Sequence, residues 1–478
     1  MVEFSSDNLY DLLERLDEES TTPLAARSPL FRSLFKGPMM INRLGFHHMQ
    51  ITINDKTYKL GIFREASEGR TLSGIRNDNK AGGATYDIDI YGMRVRSETM
   101  CKKEDVRIMN KNGVWYSIIN GSRSNNEDLH EQLQYLDKAL LDDERLLKSC
   151  MEEMQGEPME CDEDGEEEID CENMDLIDDD EEGYARDYMF WNGLWMTKNE
   201  DVFNRMVRFY DKRVVEREGL NNKLNGMPSN YKPLTQLTIS SSTGQTYHRF
   251  SYDKKLMISF RLLIDCLLSE RDKKVPIRVN FLEISCDYIT IPLPQGVKFE
   301  VSNMKVDGNV GVVYDAMKKN LQNSSFPLES LELKRCLFIE ENLQHNMART
   351  AKTIILPDLC MRLKPKLIFE CKNENILLRR QENSRFTVAE YSYFLIRFFR
   401  HGSQNHVTLS LEVKDERTAA NVLKNVHNMA PSHSSGFNPS ASSLLLKLDG
   451  RQGDFQLSYM PGDHGDYMLK TCIKSRVE

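Results

Sequence analysis

A run of about 18 apolar residues, the minimum for a membrane-spanning helix, occurs nowhere in this 478-residue chain. The most apolar helix candidate, LMISFRLLIDCLL, carries Arg261 and Asp265 and reads as a buried helix of a soluble protein. The opening MVEFSSDNLYDLL has no basic region ahead of an apolar run, so no secretory signal is expected. Cysteine pairs at metal or redox spacing are missing too, since the ten cysteines are irregularly spaced and none forms C-x-x-C. Reduced thiols packed as small apolar groups, in cytoplasm or nucleus, are the expectation. Neither G-x-x-x-x-G-K-[ST] nor G-x-G-x-x-G occurs, so no strand-to-helix turn offers its backbone amides to a phosphate. There is no G-x-S-x-G elbow and no H-E-x-x-H pair.

Positive charge is absent from one stretch. Between Ser149 and Ala185 there are 18 acidic residues and no Lys or Arg. Of the chain's 73 acidic residues, 55 therefore lie elsewhere, against 63 basic ones, so the formal charge of −10 conceals a mildly basic body. A run of one sign predicts a solvated, disordered loop, with shielding of a basic face as the alternative.

Residues 6–17, SDNLYDLLERLD, predict an amphipathic helix with Leu9, Leu12, Leu13 and Leu16 on one face. A second short helix is expected from RSPLFRSLF, with Ser28 as N-cap, Pro29 at the first position, and Leu30 and Phe31 opening an apolar face. From Met40 to about Ile119 the texture is that of strands, and MQITINDKTYKLGIF alternates around an NDK hairpin signal. Helix period returns at 126–154 and again at 184–219. Beyond Pro233, strand candidates such as IRVNFLEIS, VKFEVSNMKV, SLELKRCLFI, NILLRR and VTLSLEV alternate with helix candidates at 254–269, 309–322, 387–400 and 416–428. The spacing suggests an irregular α/β repeat, although no consensus leucine-rich pattern recurs.

The stretch NDNKAGGATYDIDIYG looks like a site. Gly82 and Gly83 read as a positive-φ turn before a strand. Asp87 and Asp89, two apart, would share a polar strand face, with Ile88 and Ile90 on the core side. Paired carboxylates can do acid–base work when their environments differ, yet a polar sheet face accounts for these. The acidic insert echoes a calcium loop at Asp162, Asp164 and Gly165, but Glu167 and Cys171 stand where an apolar residue and a bidentate Glu belong. His47–His48 and the PGDHGDY turn (Asp463, His464, Asp466) are the remaining metal or acid–base candidates; strand-edge histidines and a solvated hairpin loop explain them equally. DKRVVEREG and LIRFFRHG mix basic and aromatic residues but fit no nucleic-acid module, so nucleic acid is not an expected partner. No catalytic residue, metal or cofactor is expected.

The segment YKLGIFREASEGRTLSGIRNDNKAGGATYDIDIYGMRVR resembles the signature of the nematode-expanded F-box C-type family, whose shared domain has no assigned function. Tyr58, Leu60, Gly61, Ile62, Arg64, Gly69 and Thr71 match its first half. Gly82, Gly83, Asp87, Asp89, Tyr91 and Gly92 match its second. Leu72 replaces the usual proline, and Asp78 fits the acidic position only with two extra residues before the glycines. Residues 4–34 resemble the family's short F-box-like segment but lack its leading leucine-proline and are about a helix too short. The resemblance implies that Leu9, Leu12, Leu13, Leu16, Leu30 and Phe31 contact a Skp1-type adaptor of a cullin-RING ubiquitin ligase, while the rest of the chain selects an unknown protein substrate.

The expected fold class is α+β. A degenerate F-box-like helical segment (1–38) precedes a small β-rich signature domain (39–125), a helix (126–154), an acidic disordered insert (155–183), a helical connector (184–228) and a leucine-rich-repeat-like but irregular α/β C-terminal domain (229–478). The expected function is a non-enzymatic, intracellular protein-interaction module serving as a ligase substrate-recognition subunit. The alternative is a binding protein whose degenerate F-box does not engage the adaptor.

Overall fold

A computed structural model describes residues 40–67, 71–95, 105–108, 129–155, 200–268, 275–285, 289–334, 339–363, 365–381, 386–401, 407–429, 442–447, 453–462 and 466–475. The F-box-like leucines and most of the acidic insert lie outside the described residues. The chain divides into two compact units, one of Met1–Gly61, Ser97–Gly121 and Thr235–Glu478, the other of Ile62–Arg96 and Ser122–Leu234. The stretch 39–125, expected as one domain, is thus shared between both units.

Strands Met40–His47 (β1), Gln50–Ile53 (β2) and Lys56–Ala66 (β3), the last passing into the second unit after Gly61, form an antiparallel meander. The NDK signal is its second turn: Ile53 pairs with Lys56 across Asn54, which sits at φ 57°. After the short strands Asp87–Ile88 (β4), Arg94–Val95 (β5) and Val106–Ile108 (β6) come Tyr231–Ser241 (β7), Gly244–Ser251 (β8), Ile277–Ser285 (β9), Ile289–Ile291 (β10), Phe299–Asp307 (β11), Ser330–Leu333 (β12), Thr353–Pro357 (β13), Asn375–Arg379 (β14) and Thr408–Val413 (β15). Ser443–Lys447 (β16), Gly453–Pro461 (β17) and Tyr467–Ser475 (β18) close the series. A 14-stranded sheet has the order β16-β17-β18-β15-β14-β13-β12-β11-β9-β1-β2-β3-β7-β8.

Strands β9 and β11–β15 are parallel and lie side by side in chain order, with β1 parallel to β9 on the other flank. Helices connect them. In chain order the helices are Ser73–Lys80 (α1), Leu129–Gln155 (α2), Glu200–Leu224 (α3), Leu256–Leu268 (α4), Val310–Met317 (α5), Ile339–Gln344 (α6), Asn346–Thr350 (α7), Cys360–Leu363 (α8), Pro365–Phe369 (α9), Val388–His401 (α10) and Glu416–Met429 (α11). As a rule, right-handed crossovers between consecutive parallel neighbours put their connecting helices on one face of a sheet. One register row against those helices, Leu44–Leu282–Met304–Leu331–Ile354–Ile376–Leu409, is fully buried along its whole length. Burial of such side chains stabilises each by about 1.5–3 kcal/mol, and the row is the spine of the core.

Local chemistry agrees with these elements. Asn309 caps α5, its side chain accepting from the Val312 amide at 3.1 Å. Thr387 and Glu390 form a capping box before α10: each accepts the other's backbone N–H, at 2.9 and 3.2 Å. Asparagine side chains staple neighbouring segments, the half-buried Asn320 amide donating to the Val297 carbonyl and that of buried Asn373 to the Ala351 carbonyl, at 3.0 and 2.6 Å. The expected helices at 254–269, 309–322, 387–400 and 416–428 correspond to α4, α5, α10 and α11.

In the second unit, α2 and α3 run antiparallel. Arg213 pairs with Asp143 at 2.6 Å, Arg217 with Asp137, and the Tyr210 hydroxyl donates to Glu144 at 2.6 Å. That last bond, with burial adding to it, pushes the Tyr210 hydroxyl up to about 12. Helix α1 falls where strand texture was expected. Its sequence, SGIRNDNK, is poor in helix formers, and tertiary contacts supply what propensity does not. Ser73 donates to the buried Asp211 of α3, Asn77 donates to the other carboxylate oxygen at 3.0 Å, and Gly74 packs so closely that a Cβ there would stand 2.7 Å from the Asp211 carbonyl.

Candidate interaction surface

The signature segment resolves into structural roles. Tyr58 is buried in the first unit's meander opposite Ile51, and burial, reinforced by Asp55, pushes its hydroxyl up to about 12. Gly61 is a buried position of β3. In the second unit the Arg64 guanidinium is fully buried and pairs with Asp78 at 2.5 Å. The Asn79 side chain clamps the Arg64 backbone at both ends, accepting its N–H at 3.0 Å and donating to its carbonyl at 2.9 Å. Beside it, burial raises the Tyr86 hydroxyl, and Arg94 lies over the Tyr86 ring at 5.2 Å. Asp78, the residue two places out of register with the family pattern, is therefore the partner of the signature arginine.

Gly82 and Gly83 adopt φ of 96° and 91° and end α1, the Gly83 amide returning to the Asp78 carbonyl at 2.8 Å. A helix C-terminus presents carbonyls, the wrong polarity for a phosphate. The alternation expected for Asp87–Ile90 does not hold. Asp87 is buried beside Ile88 in the two-residue strand β4, and Ile90, expected in the core, is 70% exposed. Asp89 Oδ1 accepts the amides of Tyr91 and Met93, both at 2.9 Å, closing a turn in which Gly92 takes φ 85°. The carbonyl of Tyr91 accepts from Asn222 at 3.3 Å. A carboxylate committed to two amides in a turn is not placed for acid–base chemistry, and the pair does not share an open face.

The more open chemistry lies on the parallel sheet, on the face away from its helices. Two register rows run across it. Asn303–Ser330–Thr353–Asn375–Thr408 is wholly polar. Glu283–Lys305–Glu332–Ile355–Leu377–Ser410 follows one step nearer the C-terminal ends of the strands. Cations and carboxylates alternate along this second row and its margin: Arg43 to Glu283 at 2.7 Å, Lys305 to Glu332 at 2.9 Å, and Arg379 to both Glu332 and Glu412 at 2.6 and 3.4 Å. Lys334 reaches Asp307 at 3.4 Å. Half-buried Ile355 and Leu377 form an apolar island within the ladder.

Burial works to raise the Glu283 carboxyl, but the hydrogen bond from Arg43 and the charge of Lys305 outweigh it and hold the group below its ordinary value. At Glu412 burial prevails over Arg379 and the carboxyl rises. Burial also lowers His47, which feels Glu283 and Asp307 on one side and Lys334 and Arg43 on the other. Among the described residues no group of three His, Cys, Asp or Glu could hold a metal ion, and no helix is long and apolar enough to cross a membrane. Asp466 pairs with Arg380 at 3.7 Å; Asp463 and His464 lie outside the described residues.

Sequence reasoning did not find the ladder, though a signal exists. Strands β9, β11, β12, β14 and β15 each carry a charged residue late in the strand, in Glu283, Lys305, Glu332, Arg379 and Glu412, and along these five the sign alternates.

Residues 255–415, about a third of the chain, match the family described as Domain of unknown function (DUF3557). The match runs from α4 through the parallel strands to β15, so it contains most of the ladder and leaves the Tyr58–Gly92 signature outside. No curated protein and no solved structure matches the chain.

Proposed function

We propose that this chain is a non-enzymatic protein-interaction module whose receptor surface is the open face of the parallel sheet, centred on Ile355 and Leu377. The observation that carries the reading is the ladder itself. An apolar pair bordered by paired charges on one flank and by a polar row on the other is how a recognition patch is built, with desolvated contacts at the centre and a polar rim. The strands' chain-order adjacency resembles a leucine-rich-repeat solenoid, an architecture that binds partners along its sheet. The signature carboxylates, by contrast, are occupied in a turn and in a buried strand.

The same reading makes the chain a substrate-recognition subunit of a cullin-RING ubiquitin ligase, of the F-box C type, acting in cytoplasm or nucleus. Leu9, Leu12, Leu13 and Leu16 would lay an apolar stripe into a groove of the Skp1-type adaptor, with Leu30 and Phe31 extending it. A pull-down tests this: wild type should capture the adaptor, and Leu12→Glu with Leu16→Glu should abolish capture. If wild type captures none, the ligase assignment fails, and what remains is a binding protein with a degenerate F-box.

A further inference from the structure

The 14-stranded sheet ends on one side at β16 and on the other at β8, and the two edges are built differently. Strand β16 is anchored by Leu444 and Leu446, both 1% exposed. None of the eight residues of β8, GQTYHRFS, is buried, and Tyr247 is 47% exposed. A strand with both faces in water contributes little to a core. What β8 presents is its outer edge, a row of backbone N–H and C=O groups beyond which no described strand follows. Such edges are commonly blunted by proline, lysine or a bulge, but β8 contains neither proline nor lysine. Its one charged residue, Arg249, donates through Nε to the buried Gln236 of β7 at 2.9 Å, so the guanidinium is turned back over the sheet instead of across the edge. The surroundings are basic: from Thr235 to Lys255 the charged residues are Arg249, Lys254 and Lys255 against Asp253 alone. Burial alone lowers the His248 imidazole, and no described carboxylate pulls it back up.

We propose that the outer edge of β8 is a second interaction surface, which takes an extended acidic segment of a partner protein as an added strand. Main-chain hydrogen bonds to β8 hold the segment, and the charge of Arg249, Lys254 and Lys255 selects one rich in Asp and Glu. This surface does not depend on the open face, since in the sheet order β8 lies eight strands beyond β13, which carries Ile355. A second copy of the chain fits less well, because β8 against β8 would bring two basic hairpins together, and like charges across an interface oppose association. A nucleic-acid strand shares the negative charge but has no N–H and C=O ladder with which to continue a sheet.

Random dodecapeptides displayed on phage and selected on the full chain test this. The expected winners are acidic, bind wild type and Leu377→Asp alike, and bind at least about tenfold more weakly to Lys254→Glu with Lys255→Glu. Those two substitutions place acids just ahead of the N-terminus of α4, where the helix dipole favours them, so the fold is not put at risk. The protein-independent arm is the peptide backbone. Only alternate amides of an added strand face β8, so of two copies of a winner, N-methylated at odd or at even positions, one should lose at least about tenfold in affinity and the other keep it. Equal losses from the two patterns overturn strand addition. Winners that all lose binding to Leu377→Asp belong to the open face and overturn the edge site while leaving the receptor reading intact; no winners at all also overturns the edge site. A full chain that sediments as a dimer and dissociates when the peptide is added gives the edge to a second copy. Binding at least about tenfold tighter after deletion of residues 156–183 gives it to the chain's own acidic run. Displacement by an equal concentration of a mixed-sequence oligonucleotide gives it to nucleic acid. Each of these three results overturns the proposal.

Discussion

Two ion-pair systems in this molecule are built with opposite polarity. In the signature segment the cation is inside and the acid outside, with Arg64 1% exposed and Asp78 26%. On the open face of the parallel sheet the order is reversed, Arg379 being 42% exposed and Glu332 8%. A buried guanidinium can be satisfied only by its own surroundings, so Arg64 is spent on holding α1 and its following turn together. A guanidinium standing on two sunken carboxylates keeps donors for something else. The difference separates a device that fixes a fold from one that displays charge, although both look like ordinary salt bridges in a sequence.

The largest effect should come from breaking the inward system. Arg64→Ala leaves Asp78 without its guanidinium, while the Asn79 clamp on the backbone persists, and should cost about 3–5 kcal/mol, read as the loss in a denaturant titration. Gly74→Ala sharpens the same side. Its Cβ would crowd the Asp211 carbonyl of α3, and overpacking of this kind costs about 1–3 kcal/mol.

On the outward system Arg379→Gln should cost far less stability, about 1 kcal/mol or below, since a pair exposed to this degree is screened by water. Were the Arg379 loss to equal that of Arg64, the contrast would collapse.

The smallest effect is on pH. Burial lowers His47, His248 and His345 below the ordinary histidine value of 6.5. Between that value and the lower folded values the unfolded chain binds more protons than the native one, so stability falls as pH drops through this window. The melting temperature should decline modestly from pH 7 to 5.5, and His47→Gln should remove part of the decline.

What the sequence made legible followed periodicity. Strand β9 alternates within IRVNFLEIS, and α10 and α11 carry apolar stripes bounded by Thr387 and Asp415, whose side-chain oxygens accept the Glu390 and Thr418 amides at 3.2 and 2.7 Å. Both were readable because each rests on neighbours in sequence. Helix α1 was hidden because SGIRNDNK is held by Asp211, more than 130 residues away. Ile90 was misassigned because Asp89 turns the chain before a third strand residue can form. The sheet's central pairing of β1 with β9 joins Met40 to Arg278, and no local pattern encodes so distant a partner. Nor could the ladder's polarity be read from composition: Glu283 and Glu300 are both strand glutamates, and only the register decides which is sunk.

The most direct test of the account is a denaturant titration of wild type, Arg64→Ala and Arg379→Gln under identical conditions. The account predicts a loss of about 3–5 kcal/mol for Arg64→Ala and of about 1 kcal/mol or below for Arg379→Gln. Equal losses in the two variants would contradict it.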